Sequence, residues 1–340
     1  MNRNNLPRKI FIASGILFLA FLIFLFVKDL PTILKAVRQA KWYWLLVAAL
    51  FQVGTYFFLT LIFRDIFLFF GHRLKFSNLF KISFSLNYLN QMLPTLGVSG
   101  LYFLVLALKK REVPADKSIV AGILYYIFIY FTFIPLLLYA LLQLLLSHQI
   151  SRVGILATFG SIIFVLGIVL FSMFLLRKRE RFKKALELFL WPLRKFFKGN
   201  TEKEKEFGEF LKPDFLADTL LGDMTEFNRK KTRILAPIFY SLLIHIFDVA
   251  TLYFLFYAFN FHIGFSAAAI GFVSGMILGF ISVIPTGIGI EEAGRGLILN
   301  LFGAPLGIAV LVSVIFRALS FWINIPLGAF IYKDLKKSLE

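Results

Sequence analysis

The stretch "VIPTGIGIEEAG", Val283 to Gly294, sets two adjacent carboxylates behind a proline, a threonine and alternating glycines, inside a chain that is otherwise strongly apolar. If a half-helix starts near Glu291, then Glu291 and Arg295 stand at i and i+4, and Glu292 and Arg295 at i and i+3. One arginine can neutralise one carboxylate locally. The other needs a partner, and Arg317 in "SVIFRALSFW" is the candidate, because a charge inside a membrane is costly unless paired. A helix start preceded by Gly287 and Gly289 also offers unbonded backbone N–H groups, which suit a phosphate as well as the two glutamates themselves. The alternative is a closed salt-bridge network that does no more than hold the local turn.

Other polar residues fall on defined helix faces. Asn87, Asn90 and Gln91 are spaced i, i+3, i+4 and share one face, where they can meet a headgroup or brace Pro94, Gly97 and the turn that follows. His245 and Asp248 share a face as well, open either to a structural contact or to a proton path. Asn324, near Pro326, is placed to bond the carbonyls that the proline frees.

Enzyme templates are absent. The sequence has no G-x-S-x-G and no Walker A motif, and "GIGIEEAG" lacks both the G-x-G-x-x-G spacing and a preceding strand. Glu291 and Glu292 would point about 100° apart on a helix and so do not converge as a glycosidase pair does. There is no cysteine, and His72, His148, His245 and His262 show no metal-ligand spacing, so neither a metal nor another cofactor is expected.

The elements that must carry these residues follow from hydropathy. With 59% hydrophobic and 16% charged residues, 44 phenylalanines and a mean hydropathy of +0.81, the 340-residue chain has the composition of a polytopic all-α membrane protein. About six spanning helices are predicted, over 10–27, 42–63, 118–146, 153–176, 235–259 and 305–332. Residues 77–108 and 265–303 do not fit one span each. "NYLNQMLPTLGVSG" breaks the first and the opening stretch breaks the second, so both are predicted as re-entrant hairpins. Their shared P-T-and-glycine pattern suggests an inverted repeat, with the two breaks, including Pro94 and Pro285, meeting near the midplane.

The formal charge of +18 does not imply nucleic acid, because the basic residues flank apolar spans and do not interleave with exposed aromatics. Anionic phospholipid is the expected partner. A path with both termini in the cytoplasm places most of the 37 Lys and Arg residues inside, and the expected location is the inner, or cell, membrane. The insert 177–233 carries "RKRERFKKALELFLWPLRKFFKG", which reads as a basic amphipathic helix lying on the cytoplasmic leaflet or packed under the bundle. The whole chain, 1–340, reads as a single membrane domain carrying this insert.

"IPTGIGIEEAG", followed by Arg317 and the proline-glycine pair of "FRALSFWINIPLGAF", resembles the signature of the lysylphosphatidylglycerol synthase transmembrane region, or flippase-like family. "LNQMLPTLGVSGLYFLVLALKKREVPADKSIVAGIL" resembles its first signature region. The resemblance implies a functional glutamate at Glu292 and turn glycines at Gly287 and Gly289, leaves Glu291 at a variable position, and finds Thr286 where the family has glycine. Members that synthesise aminoacylated lipids carry an added soluble acyltransferase domain, so the resemblance implies a stand-alone membrane unit. The expected function is then translocation of an anionic phospholipid or lipid-linked headgroup held between two opposed hairpins. The alternatives are a membrane subunit of a lipid aminoacyltransferase with a separate lipid-modifying enzyme as partner, and a proton-coupled small-solute transporter.

Overall fold

The computed structural model describes residues 30–92, 98–146, 232–281 and 287–339 as continuous segments, together with scattered positions between 167 and 222. Every regular element in them is helical: α1 (Leu30–Arg38), α2 (Trp42–Phe69), α3 (Phe76–Met92), α4 (Val98–Lys109), α5 (Ala115–Leu146), α6 (Thr232–Ala258), α7 (Phe265–Ile281), α8 (Ile290–Leu301), α9 (Leu306–Arg317), a π-helical turn (Ala318–Trp322) and α10 (Asn324–Leu339). Four helical stretches are long and apolar enough to span a bilayer: Trp42–Phe69, Ala115–Leu146, Arg233–Ala258 and Leu306–Leu335. These correspond to four of the six predicted spans. The other two, 10–27 and all of 153–176 except Gly167, lie outside the described residues, as do Pro94, Gly97 and Pro285.

Both interrupted regions are helix pairs of the same dimensions. A 17-residue helix precedes each break and a 12-residue helix follows it, α3 and α4 in one case and α7 and α8 in the other. A 28-residue helix leads into the first pair and a 27-residue helix into the second. The element order thus repeats along the chain, which the similarity of the two short motifs foreshadows.

The chain divides into two compact units. The first comprises residues 1–55, 135–151 and 245–323 and holds the α7–α8–α9 packing. There α1 packs on α9, Lys41 N–H bonds the Ala258 carbonyl at 2.8 Å, and Asn260 Nδ2 donates to the Gln39 carbonyl at 2.8 Å. Trp42 and Tyr43 are exposed beside these contacts, as expected of aromatic residues at a membrane–water boundary. The second comprises residues 56–134, 152–244 and 324–340. Its core is built on Ile62, Phe63, Phe67, Leu79, Leu104 and Leu108, where α10 and α4 both pack on α3.

Most of the insert 177–233 lies outside the described residues. Among those described, Arg179 grips Asp218 through Nε–Oδ1 at 2.6 Å and Nη2–Oδ2 at 2.9 Å, and Lys183 pairs with Asp214 at 2.6 Å. Position 179 therefore meets 218 while 183 meets 214, an antiparallel register between two helical segments. Two basic residues of the stretch read above as an amphipathic helix, Arg179 and Lys183, thus have carboxylate partners within the insert.

Candidate functional site

The candidate site lies in the first unit, where α8 begins. Gly287 (φ 63°) and Gly289 (φ 88°) both occupy the left-handed region, which glycine enters without the Cβ penalty of other residues. A Cβ on Gly287 would also stand 2.7 Å from the Gly279 Cα, so the turn needs glycine for space as well as for conformation. Gly289 caps α8, and Glu292, the third residue of the helix, reaches back so that its Oε2 accepts the Gly289 N–H at 2.5 Å. This is the carboxylate half of a capping box.

Glu291 takes a different part. Its Oε1 accepts from Arg295 Nη2 one turn on, and its Oε2 accepts from Arg317 Nη1 of α9 at 2.5 Å. Arg317 Nε lies 3.3 Å from Glu292 Oε1. The four side chains form one cluster of two acids and two bases, all buried, with Arg295 at 0% exposure. Both guanidinium groups also lie over aromatic faces, Arg295 over Phe316 at 4.5 Å and Arg317 over Phe321 at 4.7 Å.

Spacing left open which glutamate Arg295 neutralises and which needs Arg317. Glu291 bridges both arginines, while Glu292 caps the helix and touches Arg317 but not Arg295. The reason is positional. Glu292, in the first turn, folds back onto the free N–H groups, whereas Glu291 shares a face with Arg295 and looks toward α9.

The surface that receives these charges is not encoded in the spacing of the charges themselves. Gly271, Gly275 and Gly279 form a G-x-x-x-G-x-x-x-G stripe along α7, and Leu299, Arg295 and Glu291 of α8 lie against it at matching intervals. A Cβ at Gly275 would come within 2.8 Å of Arg295 Nη2 and 2.9 Å of Nε; one at Gly279 would meet Glu291 Oε2 at 3.3 Å. The small-residue stripe is visible in "AIGFVSGMILGF" and is the signal that could have located this packing. The π-helical turn immediately after Arg317, closed by Ile323 N–H to the Ala318 carbonyl at 2.8 Å, had no such signal. Such turns recur at functional sites.

His245 and Asp248 belong to α6 in the same unit. The buried His245 ring sits beside Phe272, with centroids 6.5 Å apart, and Asp248 Oδ1 accepts a hydrogen bond at 3.3 Å from Gln52 Nε2 of α2.

In the second unit, the amides predicted to share a face act as braces. Asn90 Nδ2 donates to the Tyr126 hydroxyl at 2.7 Å, and its Oδ1 accepts the Gly100 N–H at 2.9 Å, fastening α3 to α4 beside the break. Gln91 Oε1 accepts from Asn324 Nδ2 at 2.6 Å. That bond replaces the expected one from Asn324 to carbonyls near Pro326, because α10 packs against α3 and brings the amides together. Asn87 Nδ2 lies 3.5 Å from the Tyr56 hydroxyl, at the outer limit of a hydrogen bond.

An all-helical chain with several spanning helices, an interrupted helix pair in each unit and a charge cluster at one break defines a multi-pass membrane protein. The chain belongs to the family of the lysylphosphatidylglycerol synthase transmembrane region, whose model matches residues 10–328. It is 26% identical over 214 residues to a UPF0104 membrane protein of Pyrococcus horikoshii, a match covering 61% of this chain and 62% of that protein. A UPF0104 membrane protein of Methanothermobacter thermautotrophicus is 34% identical over 89 residues, covering 26% of this chain and 27% of its own length.

Proposed function

We propose that this chain moves an anionic phospholipid across the cell membrane, with the four-charge cluster at the start of α8 as the place its headgroup engages. The observation that carries the reading is Arg295. It is fully buried in a membrane protein, yet its Nε and Nη1 have no hydrogen-bond partner among the described residues. A buried guanidinium with unused donors beside an exchangeable carboxylate is suited to take a phosphate oxygen in place of Glu291. Gly287 and Gly289 keep the backbone close to that point, and Arg317 supplies the second positive charge. No nucleotide motif occurs in the sequence, so transport is facilitated or driven by a gradient.

The test is reconstitution into vesicles containing fluorescent phosphatidylglycerol, read with a membrane-impermeant quencher. The chain should expose inner-leaflet lipid to quenching, and Arg295→Gln, which removes the donors that would take the phosphate oxygen, should lower the initial rate at least about tenfold, or ~1.4 kcal/mol, while remaining folded and monodisperse. Vesicles with the chain that behave like empty ones overturn the reading. Normal transport by Glu292→Gln would leave that carboxylate a purely structural cap. The family description favours a second reading, a membrane subunit serving a separately encoded lipid aminoacyltransferase. Co-purification of such an enzyme would support it.

A further inference from the structure

The charges on the membrane-embedded helices of the first unit do not balance. Asp248, Glu291 and Glu292 are three acids; Arg295 and Arg317 are two bases. Glu291 and Glu292 both contact arginine, but Asp248, near the middle of α6, forms no ion pair among the described residues. An unpaired carboxylate at that depth is costly, and binding a proton removes the cost.

The neutral side chain facing Asp248 fits a proton there. Gln52 Nε2 has two acceptors, Thr55 Oγ1 at 3.2 Å and Asp248 Oδ1 at 3.3 Å, but its Oε1 is buried with no hydrogen-bond partner. An ionised Asp248 has no hydrogen to offer that oxygen. A protonated one does, and a carboxylic acid facing a primary amide can form a reciprocal pair, O–H to Oε1 and N–H to Oδ1.

We propose that Asp248 is a proton-binding site within the membrane, positioned by Gln52, and that its proton governs how firmly Glu291 holds Arg295. The groups facing Asp248 are few. α2 presents neutral Gln52 and Thr55, α6 itself presents His245 one turn earlier, and α7 has no titratable side chain. α8 contributes Arg295 and Glu291, both within electrostatic reach of Asp248, and Arg317 of α9 joins through Glu291. When the proton leaves for solvent, the new carboxylate attracts Arg295, whose Nε and Nη1 have no hydrogen-bond partner among the described residues, and the hold of Glu291 weakens. Proton binding stands independently of lipid transport; its effect on headgroup binding rests on the function proposed above.

The test is infrared difference spectroscopy of the full chain in lipid films, titrated from mildly acidic to mildly alkaline in H2O and D2O. The wild type should show a protonated-carboxyl C=O band that disappears as pH rises and moves down in D2O. The band should persist in Glu291→Gln and Glu292→Gln and be lost in Asp248→Asn. Gln52→Leu, which removes the hydrogen bond, should shift it to higher frequency. A wild type without a titrating band overturns the proposal, as does a band that survives Asp248→Asn. An unshifted band in Gln52→Leu overturns the positioning role. If Asp248→Asn does not fold, Asp248→Glu must move the band, and an unmoved band counts against the assignment. A titrating band in a protein that translocates no lipid would refute the transport reading and leave the proton site standing.

Discussion

Replacing Glu291 with glutamine should destabilise the protein far more than the same change at Glu292. Glu291 is the shared acceptor of Arg295 and Arg317, and Arg295 is wholly buried. The neutral amide leaves Arg295 without its ion-pair partner and removes one of the carboxylates that Arg317 contacts, while Glu292 stays 3.3 Å from Arg317 Nε. Breaking a buried pair by removing one member costs about 3–5 kcal/mol, because the surviving charge remains desolvated. At position 292, glutamine still presents an oxygen to the Gly289 N–H, so the cap persists and only a long contact to Arg317 is weakened. The expected loss there is about 1 kcal/mol, the scale of one modest hydrogen bond. Reversible unfolding in mixed micelles, followed by tryptophan fluorescence, measures both changes. The double variant Glu291→Gln with Arg295→Met should recover part of the loss, since it removes the stranded charge together with its partner. If Glu292→Gln costs as much as Glu291→Gln, or if the double variant is the sum of the singles, the assignment of Glu291 as the bridge is wrong.

Gly275→Ala should displace the Arg295 guanidinium from α7 and cost about 1–3 kcal/mol in the same unfolding measurement, as overpacking against a confined group does; an unchanged midpoint would mean that the helices part freely there. In the insert, the hydrogen bond and charge of Arg179 hold the Asp218 carboxyl below the usual carboxylate range. A depressed acid lends stability above its unfolded value and loses it as pH falls through the lower folded one. Protease resistance of the insert should therefore fall only in strong acid, and Asp218→Asn should abolish that step; a variant keeping the wild-type acid profile would place the titration elsewhere.

The proton site and the charge cluster lie in one unit and share Arg295, so their tests constrain each other. A change in the Asp248 band on adding Glu291→Gln would report coupling directly, because the variant removes the charge that competes for Arg295.

Features that depend on local composition are legible in the amino-acid order alone. A run of about 20 apolar residues is sufficient to specify a spanning helix, which is why hydropathy marks the stretches around α2, α5, α6 and α9–α10. Proline and glycine at 285–289 likewise announced an interruption, and the i to i+4 spacing announced Glu291 with Arg295. The motif resemblance pointed to the family. Tertiary structure alone decided which carboxylate bridges, because Arg317 lies 26 residues from Glu291 and reaches it only through the packing of α9 on α8. The same holds for Gln52 and Asp248, 196 residues apart, and for Asn324 and Gln91, 233 apart. Hydropathy and helical period fix which face of a helix is polar, but the partner on that face is chosen by which helices pack together, and for a buried charge that choice sets both its cost and its chemistry.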